Sequence, residues 1–325
     1  MEKKILVFSN GEKIGDGIIK LPLLYEIKKR LPECKLVWVT NKGSTAYRDK
    51  LKFIAEQYID EIIEKADLSP FFWMKISKNY DFENTFFEYI LDTQKSLYRT
   101  IALKRIKNRQ FISATANGFF SSIKFIKKNK RRYYLDDLFD LLNLIKKSEI
   151  EENFKIKIPK DLDLNLNKFF KKDQKYFGIA PGAGEKNKIW PLENFINVGK
   201  HFLNKNYKVV LFLGPEEKHL SEKILHEFPE AIIPEELISN FSNIETVIAS
   251  TKYLKFALCN DSGVSHMLST SYCPLIKLFG PKESLKFTPS NINIHTISAS
   301  IFNNNNKIDS IPAEYVINTI NKLLE

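Results

Sequence analysis

With 325 residues, the chain exceeds a typical single α/β domain and suits two domains of about 160 residues each. Apolar residues make up 43%, enough for ordinary cores, which excludes a disordered chain. No apolar run approaches the roughly 18 residues of a membrane-spanning helix, and the three cysteines (Cys34, Cys259, Cys273) have no C-x-x-C spacing, which argues against a disulfide scaffold.

The net charge of +11 is concentrated in one region. Between Lys95 and Tyr134 there are twelve Lys or Arg and no acid, leaving 38 basic against 39 acidic residues elsewhere. That excess favours anionic partners such as a phosphorylated glycolipid, an acidic membrane face or nucleic acid.

In chain order, the short apolar run Ile5–Phe8 predicts a first strand (Lys4–Phe8), too short for the core of a signal peptide, so a cytoplasmic protein is expected. A loop through Gly11, Gly15 and Gly17 leads to a helix from about Ile18 to Leu31, then to a β-branched strand at Lys35–Thr40. Strand, glycine loop, helix and strand within forty residues form a βαβ unit, hence a parallel sheet. Ile59–Ile63 reads as a further short strand, 85–110 as helical, Phe111–Ala114 as a return to the sheet, and Asp136–Lys147 as a helix.

The polar stretch Glu151–Lys175 reads as a linker, placing domains at 1–165 and 166–325. A second α/β series follows. Its predicted strands are Tyr176–Ala180, Lys208–Leu213, Ala231–Ile233, Phe256–Cys259 and Leu275–Phe279. Its predicted helices are Pro191–Asn204, Glu216–Glu227, Asn243–Ser250, Val264–Ser271 and Pro312–Leu324. Two doubly wound α/β domains facing across a cleft are the simplest architecture.

The chemistry-bearing residues sit just past strand ends, where loop amides and helix starts converge in such sheets. Gly182-Ala183-Gly184 lets backbone N–H groups approach an anion, and Lys188, before Trp190-Pro191, can neutralise a departing diphosphate. The same residues also make an ordinary strand-to-helix turn with a packing tryptophan. Asp261-Ser262-Gly263, with His266, forms a second turn that either caps a helix or holds a phosphate. Glu216 and Glu217 follow a strand end, where one of them can bind ribose hydroxyls or simply begin a helix. In the first domain Asp16 reads as a helix cap or as a general base for an attacking hydroxyl. The five histidines are dispersed, so no metal site is expected.

Together these residues resemble glycosyltransferase family 9, the ADP-heptose:lipopolysaccharide heptosyltransferases. Ile14-Gly-Asp-Gly-Ile-Ile-Lys-Leu-Pro22 is similar to the family's first loop and helix, and Pro181-Gly-Ala with Lys188-Ile-Trp-Pro191 to its donor loop. Asn260-Asp-Ser-Gly-Val-Ser-His266 and Leu278-Phe-Gly-Pro281 are similar to its late motifs. The resemblance implies a GT-B fold, with an N-terminal acceptor domain, a C-terminal donor domain and a last helix that crosses back. It implies inverting transfer of heptose from ADP-heptose to an inner-core lipopolysaccharide or lipooligosaccharide acceptor, without metal or other cofactor. Asp16 then matches the base, Lys188 the phosphate-binding lysine, and Asp261, Ser262, Gly263 and His266 the nucleotide-sugar contacts. Ser262 stands where threonine is commoner, and Asn10-Gly-Glu-Lys13 replaces the usual Arg- and Ser-containing stretch, which bears on acceptor choice.

The basic residues Lys124, Lys127, Lys128, Lys130, Arg131 and Arg132, among Phe125, Tyr133 and Tyr134, are then expected to meet an anionic glycolipid or the cytoplasmic face of the inner membrane. No nucleic-acid motif accompanies them. Two alternatives are another nucleotide sugar on the same fold and a non-catalytic protein that binds polyanions or membranes.

Overall fold

The computed structural model describes residues 2–124, 133–150, 154, 156–270, 273–280, 293–302 and 306–325. The chain divides into two compact units, Met1–Phe154 and Lys155–Glu325.

The first unit is a five-stranded parallel sheet in the order β3-β2-β1-β4-β5. Its strands are β1 (Lys3–Ser9), β2 (Cys34–Thr40), β3 (Glu61–Ile63), β4 (Phe87–Asp92) and β5 (Asn108–Ser113). Its helices are α1 (Ile14–Arg30), α2 (Lys52–Ala55), α3 (Leu97–Lys104) and α4 (Tyr134–Ile145). Ile5 to Phe8 are fully buried, because a central parallel strand is covered on both faces and so reads as a continuous apolar run. The chain runs outward from β1 to β3, then returns to β4 on β1's other flank. The sheet's switch point therefore lies at the ends of β1 and β4, where Phe8 pairs with Asp92.

Residues 85–110, expected to be helical, hold β4, α3 and the start of β5 instead. Phe87, Ile90 and Leu91 are buried in the sheet; of the interleaved basic residues, Arg99 and Lys104 lie in α3, Arg109 at an exposed position of β5, and Lys95, Arg105 and Lys107 in the connecting segments.

The second unit repeats the plan, in the order β10-β9-β8-β6-β7. Its strands are β6 (Lys175–Ala180), β7 (Tyr207–Leu211), β8 (Leu254–Asn260), β9 (Leu275–Phe279) and β10 (Ile294–Ser298). Its helices are α5 (Lys160–Leu166), α6 (Leu192–Leu203), α7 (Ser221–Glu227), α8 (Pro234–Leu237), α9 (Asn243–Ser250), α10 (Gly263–Leu268) and α11 (Ala313–Leu324). Residues 231–233, expected as a strand, contribute one bridge between Val210 and Ile232.

The division between units falls before α5, earlier than the expected 165/166 boundary. Part of the supposed linker is this helix, which buries Leu162 and Leu166 and lies against α9. Tyr253 donates to Asp163 Oδ1 at 2.9 Å and stacks on Phe170 at 4.4 Å, fixing the segment to the second unit. The last helix, α11, was expected to cross back. It buries Val316 and Ile320 in the second unit's core and packs on α6. Each large side chain so buried contributes about 1.5–3 kcal/mol. All three cysteines are buried thiols.

Candidate active site

In the second unit, the loops after β6 and β8 meet at the switch point between these two strands, with Gly280 just past the end of β9 beside them. Asn260, fully buried, ties two of them together: its Nδ2 donates to Pro181 O at 2.6 Å, and its Oδ1 accepts from Trp190 N at 3.2 Å. Trp190 is core. Its indole donates to Ile311 O at 2.9 Å and meets Phe195 edge-on at 5.0 Å. This anchor holds Lys188, two residues earlier, over the sheet end. Gly280 closes the third side, because a Cβ there would stand 2.9 Å from Asn187 O.

The charged centre is Asp261. Lys188 Nζ lies 3.2 Å from its Oδ2 and Lys277 Nζ lies 2.8 Å from its Oδ1. Lys277 is 2% exposed, Asp261 9% and Lys188 13%, so the pair of lysines is graded from interior to surface. Glu185 reaches Lys188 at 3.4 Å from the solvent side, with half its side chain exposed. Burial pushes the Asp261 carboxyl up, but Lys277 and then Lys188 more than offset it and hold it below the usual carboxylate range. Beside it, His266 is pushed down to about 3 by burial and by the charge of Lys277, so its imidazole is neutral at pH 7.

The remaining predicted donor residues divide. Ser262 rather than Asp261 caps α10: its hydroxyl accepts from Ser265 N at 3.2 Å, while its own N–H is taken by Ser265 Oγ at 3.1 Å. That leaves the Asp261 carboxylate to the lysines. The six-residue α10 carries little macrodipole, so positive potential at this site comes mainly from side chains. Gly263 and Gly184 face open space. At Gly182 a methyl would collide with the Glu217 carboxyl, which also lies on Gly214. Gly182 thus makes room for Glu217, and Ala183 is buried beside it. Glu217 is half-buried and its carboxyl is raised, first by burial. Glu216 is exposed.

In the first unit, α1 begins at Ile14, so Gly15, Asp16 and Gly17 lie in its first turn rather than in the preceding loop. Asp16 is therefore not the N-cap; it is an exposed carboxylate at the positive end of a 17-residue helix, with no hydrogen-bond or ion-pair partner among the described residues. Tyr47 fixes the turn beneath it, donating to Gly17 O at 2.8 Å. Gly17 packs closely there, since a Cβ would stand 2.6 Å from Leu51 Cδ1 and displace that side chain. Nearby Glu12 and Lys20 form a buried ion pair at 3.1 Å, with Lys20 also donating to Ser9 Oγ at 3.0 Å and Trp38 Nε1 to Glu12 Oε2 at 3.2 Å.

Lys277, Asn260, Glu12 and Lys20 were not singled out as chemical residues in the sequence. The signal for Lys277 was a lone lysine inside the apolar strand Leu275–Phe279, a position that needs a counterion. Of the basic segment, Lys124 is exposed; Lys127, Lys128, Lys130, Arg131 and Arg132 lie outside the described residues. Among the described residues no three His, Cys, Asp or Glu side chains are grouped to hold a metal ion.

The sequence profile described as glycosyltransferase family 9 (heptosyltransferase) matches residues 82–313. The chain belongs to glycosyltransferase family 9. Lipopolysaccharide heptosyltransferase 2 of Salmonella typhimurium is 29% identical over 118 residues, 34% of this chain and 32% of that protein. Lipooligosaccharide heptosyltransferase 2 of Haemophilus influenzae is 28% identical over 116 residues, 34% of this chain and 33% of that one. The match thus spans about a third of either relative's length. Solved family members share the fold across nearly the whole chain. A family 9 glycosyl transferase from Veillonella parvula superposes with a TM-score of 0.73 at 18% identity, covering 100% of this chain and 98% of that one. The E. coli heptosyltransferase WaaC, solved with ADP-2-deoxy-2-fluoro heptose, gives 0.67 at 17% identity, covering 98% and 99%. The fold is therefore GT-B, built from two Rossmann-like units.

Proposed function

We propose that this chain is an inverting, metal-independent heptosyltransferase that moves heptose from ADP-heptose to the inner core of a lipopolysaccharide or lipooligosaccharide. The observation that carries the donor half is the pair of lysines on Asp261 at the switch point of the second unit. Two cations share one buried carboxylate, and among the described residues the more exposed of them is additionally met only by a solvent-facing glutamate. A diphosphate is the ligand such a site takes: it displaces Glu185, recruits Lys188, and leaves Asp261 neutralised by Lys277.

In this reading Lys188 stabilises the charge that develops on the leaving ADP, with the open backbone at Gly184 and Gly263 at hand for phosphate oxygens. Neutral His266 offers a hydrogen bond without adding charge. Glu217 takes the ribose hydroxyls in preference to the exposed Glu216, because its carboxyl already lies on the strand-end glycines. Asp16 removes the proton from the acceptor hydroxyl as it attacks the anomeric carbon, and the configuration inverts. Its exposed, unpaired carboxylate suits a base that must meet an incoming hydroxyl. The acceptor is anionic and sits at the cytoplasmic face of the inner membrane, where the basic segment 124–132 supplies counter-charge.

The test is turnover of ADP-heptose with a lipopolysaccharide-core acceptor in the presence of EDTA. Wild-type protein is expected to form ADP and a product of inverted configuration. Asp16→Asn is expected to lower kcat by roughly 10²–10⁴-fold with ADP affinity retained. Loss of ADP binding in a folded Asp16→Asn protein removes Asp16 from the base role. Transfer from a UDP- or GDP-sugar in place of ADP-heptose moves the donor, and activity abolished by EDTA and restored by a divalent metal refutes metal independence.

A further inference from the structure

The first unit carries a ridge of exposed aromatic side chains that the donor chemistry does not use. Phe72 is 84% exposed and Trp73 68%, flanked by exposed Phe71 and Met74, and by Leu97 and Tyr98 of α3. Exposed apolar patches of this kind on a soluble surface mark interaction sites.

The ridge is ordered by its own contacts. Phe71 stacks on Trp73 at 5.0 Å and meets Tyr98 edge-on at 6.3 Å, while Phe72 meets Trp73 edge-on at 4.8 Å. Arg105, at the end of α3, donates Nη1 to Ser69 O at 2.6 Å and Nη2 to Met74 O, clamping both ends of the 69–74 loop. Ser69 N donates to Ile76 O at 2.9 Å, and Ile76 is buried in the core. The aromatic rings are therefore held outward by a braced loop.

The surround is cationic. Lys75 and Lys78 line a recess of about 330 Å³ beside Phe71 and Tyr98, with Asp67 as the acid there. Lys75, Lys78 and Arg99 have no ion-pair partner among the described residues, and α3 itself contains no acid. This charge decides the occupant. A two-fold dimer through the ridge would gather the cationic groups of both copies into one interface. An acidic bilayer complements both parts: indole and phenyl rings lie at the headgroup–acyl boundary, and ammonium and guanidinium groups meet lipid phosphates.

We propose that the ridge Phe71–Met74, with Tyr98, is an interfacial anchor that seats the first unit on an anionic membrane. This sharpens the membrane location in the proposed function and rests on that part of it alone; the sugar chemistry can fail without touching it. It also places the anchor on residues other than the basic segment 124–132.

The tryptophans supply a site-resolved readout, since Trp38 and Trp190 are fully buried and Trp73 is exposed. The experiment is binding of the full chain to vesicles of phosphatidylethanolamine and phosphatidylglycerol, against pure phosphatidylcholine, followed by co-sedimentation and by quenching with acyl-brominated lipid. Wild-type protein is expected to sediment with the acidic vesicles and to lose Trp73 emission to the bromines. Phe72→Ser/Trp73→Ser is expected to weaken binding by roughly tenfold or more, with ADP affinity unchanged. Lys75→Gln/Lys78→Gln is expected to weaken it by a smaller factor and to reduce its salt dependence. Undiminished sedimentation of the Phe72→Ser/Trp73→Ser protein overturns the proposal, as does Trp73 emission that remains open to aqueous iodide on vesicles. A dimer in light scattering that the same double variant dissolves overturns it too, by assigning the ridge to self-association.

Discussion

Each unit places a lysine and a carboxylate near the end of its sheet, and the two arrangements do different work. In the first unit, Lys20 and Glu12 balance one for one, with side chains 6% and 0% exposed and the remaining valences filled by Ser9 and Trp38. Among the described residues that network is closed: its charges balance and both side chains are buried. In the second unit Asp261 is shared by Lys277 and Lys188, and the outer lysine keeps a solvent-facing side met, among the described residues, by half-exposed Glu185. The contrast teaches that charge balance and access, rather than the mere presence of a lysine at a strand end, mark the anion site.

Substitutions can break that comparison, beginning with the closed network. Lys20→Met should destabilise the chain by about 3–5 kcal/mol, because it strands the buried Glu12 carboxylate. ADP affinity of the folded fraction should stay unchanged, as read by denaturant unfolding and calorimetric titration. Lys188→Met should do the reverse. It should cost about 1 kcal/mol of stability, yet lower kcat/KM roughly 10²–10³-fold in steady-state turnover, as expected for loss of a group that stabilises leaving-group charge. If Lys20→Met impaired ADP binding directly, or Lys188→Met mainly unfolded the protein, the distinction between the two clusters would fail.

A second carboxyl sharpens it. Asp92, at the first unit's switch point, is fully buried and, among the described residues, accepts from the uncharged Thr100 Oγ1 at 2.7 Å, Ser113 Oγ at 2.9 Å and Gln94 N at 2.9 Å. Burial pushes its carboxyl up to about 6 from 3.8, whereas the lysines hold Asp261 below that ordinary value. Between pH 4 and 6 the folded chain therefore keeps a proton at Asp92 that the unfolded chain has released, and its contribution to stability falls as pH rises, by up to about 3 kcal/mol. Asp261 has the opposite sign, contributing stability above its unfolded value that is lost on acidification. Denaturant midpoints from pH 4 to 7 should show a downward component that Asp92→Asn removes; an unchanged slope in that variant would contradict the assignment.

The smallest effect is expected at Lys277. Lys277→Met should cost about 1–3 kcal/mol, since Asp261 keeps Lys188. It should also weaken ADP binding roughly 3–10-fold, because Asp261 then competes with the ligand for its one remaining cation. A destabilised variant with full ADP affinity would make Lys277 purely structural.

Much of this was legible in the sequence where periodicity and turn chemistry agree. β9 and α9 fall at their predicted bounds, because apolar runs flanked by turn residues leave little freedom. The motif loops were found because glycine, Asp261 and Lys188 follow buried strands. Residues 85–110 misled because alternating apolar and basic residues fit an edge strand and a short helix as well as one long helix. α1 begins at Ile14, ahead of the predicted Ile18, and Gly17 in its first turn lies against Leu51 and Tyr47, neighbours that are distant in sequence. Lys277 was hidden because its partner lies on a neighbouring strand's loop, and a lysine in an apolar run gives no local sign of which acid it meets. The choice between Glu216 and Glu217 likewise depended on the tertiary approach of Gly182 and Gly214.

The most direct measurement is a calorimetric titration of ADP, against adenosine, into wild-type and Lys188→Met protein with EDTA present. The account predicts that wild type binds ADP well above adenosine and that Lys188→Met loses most of that difference. Equal binding of ADP by both proteins, or no preference of wild type for ADP over adenosine, would contradict a diphosphate site at Asp261, Lys188 and Lys277.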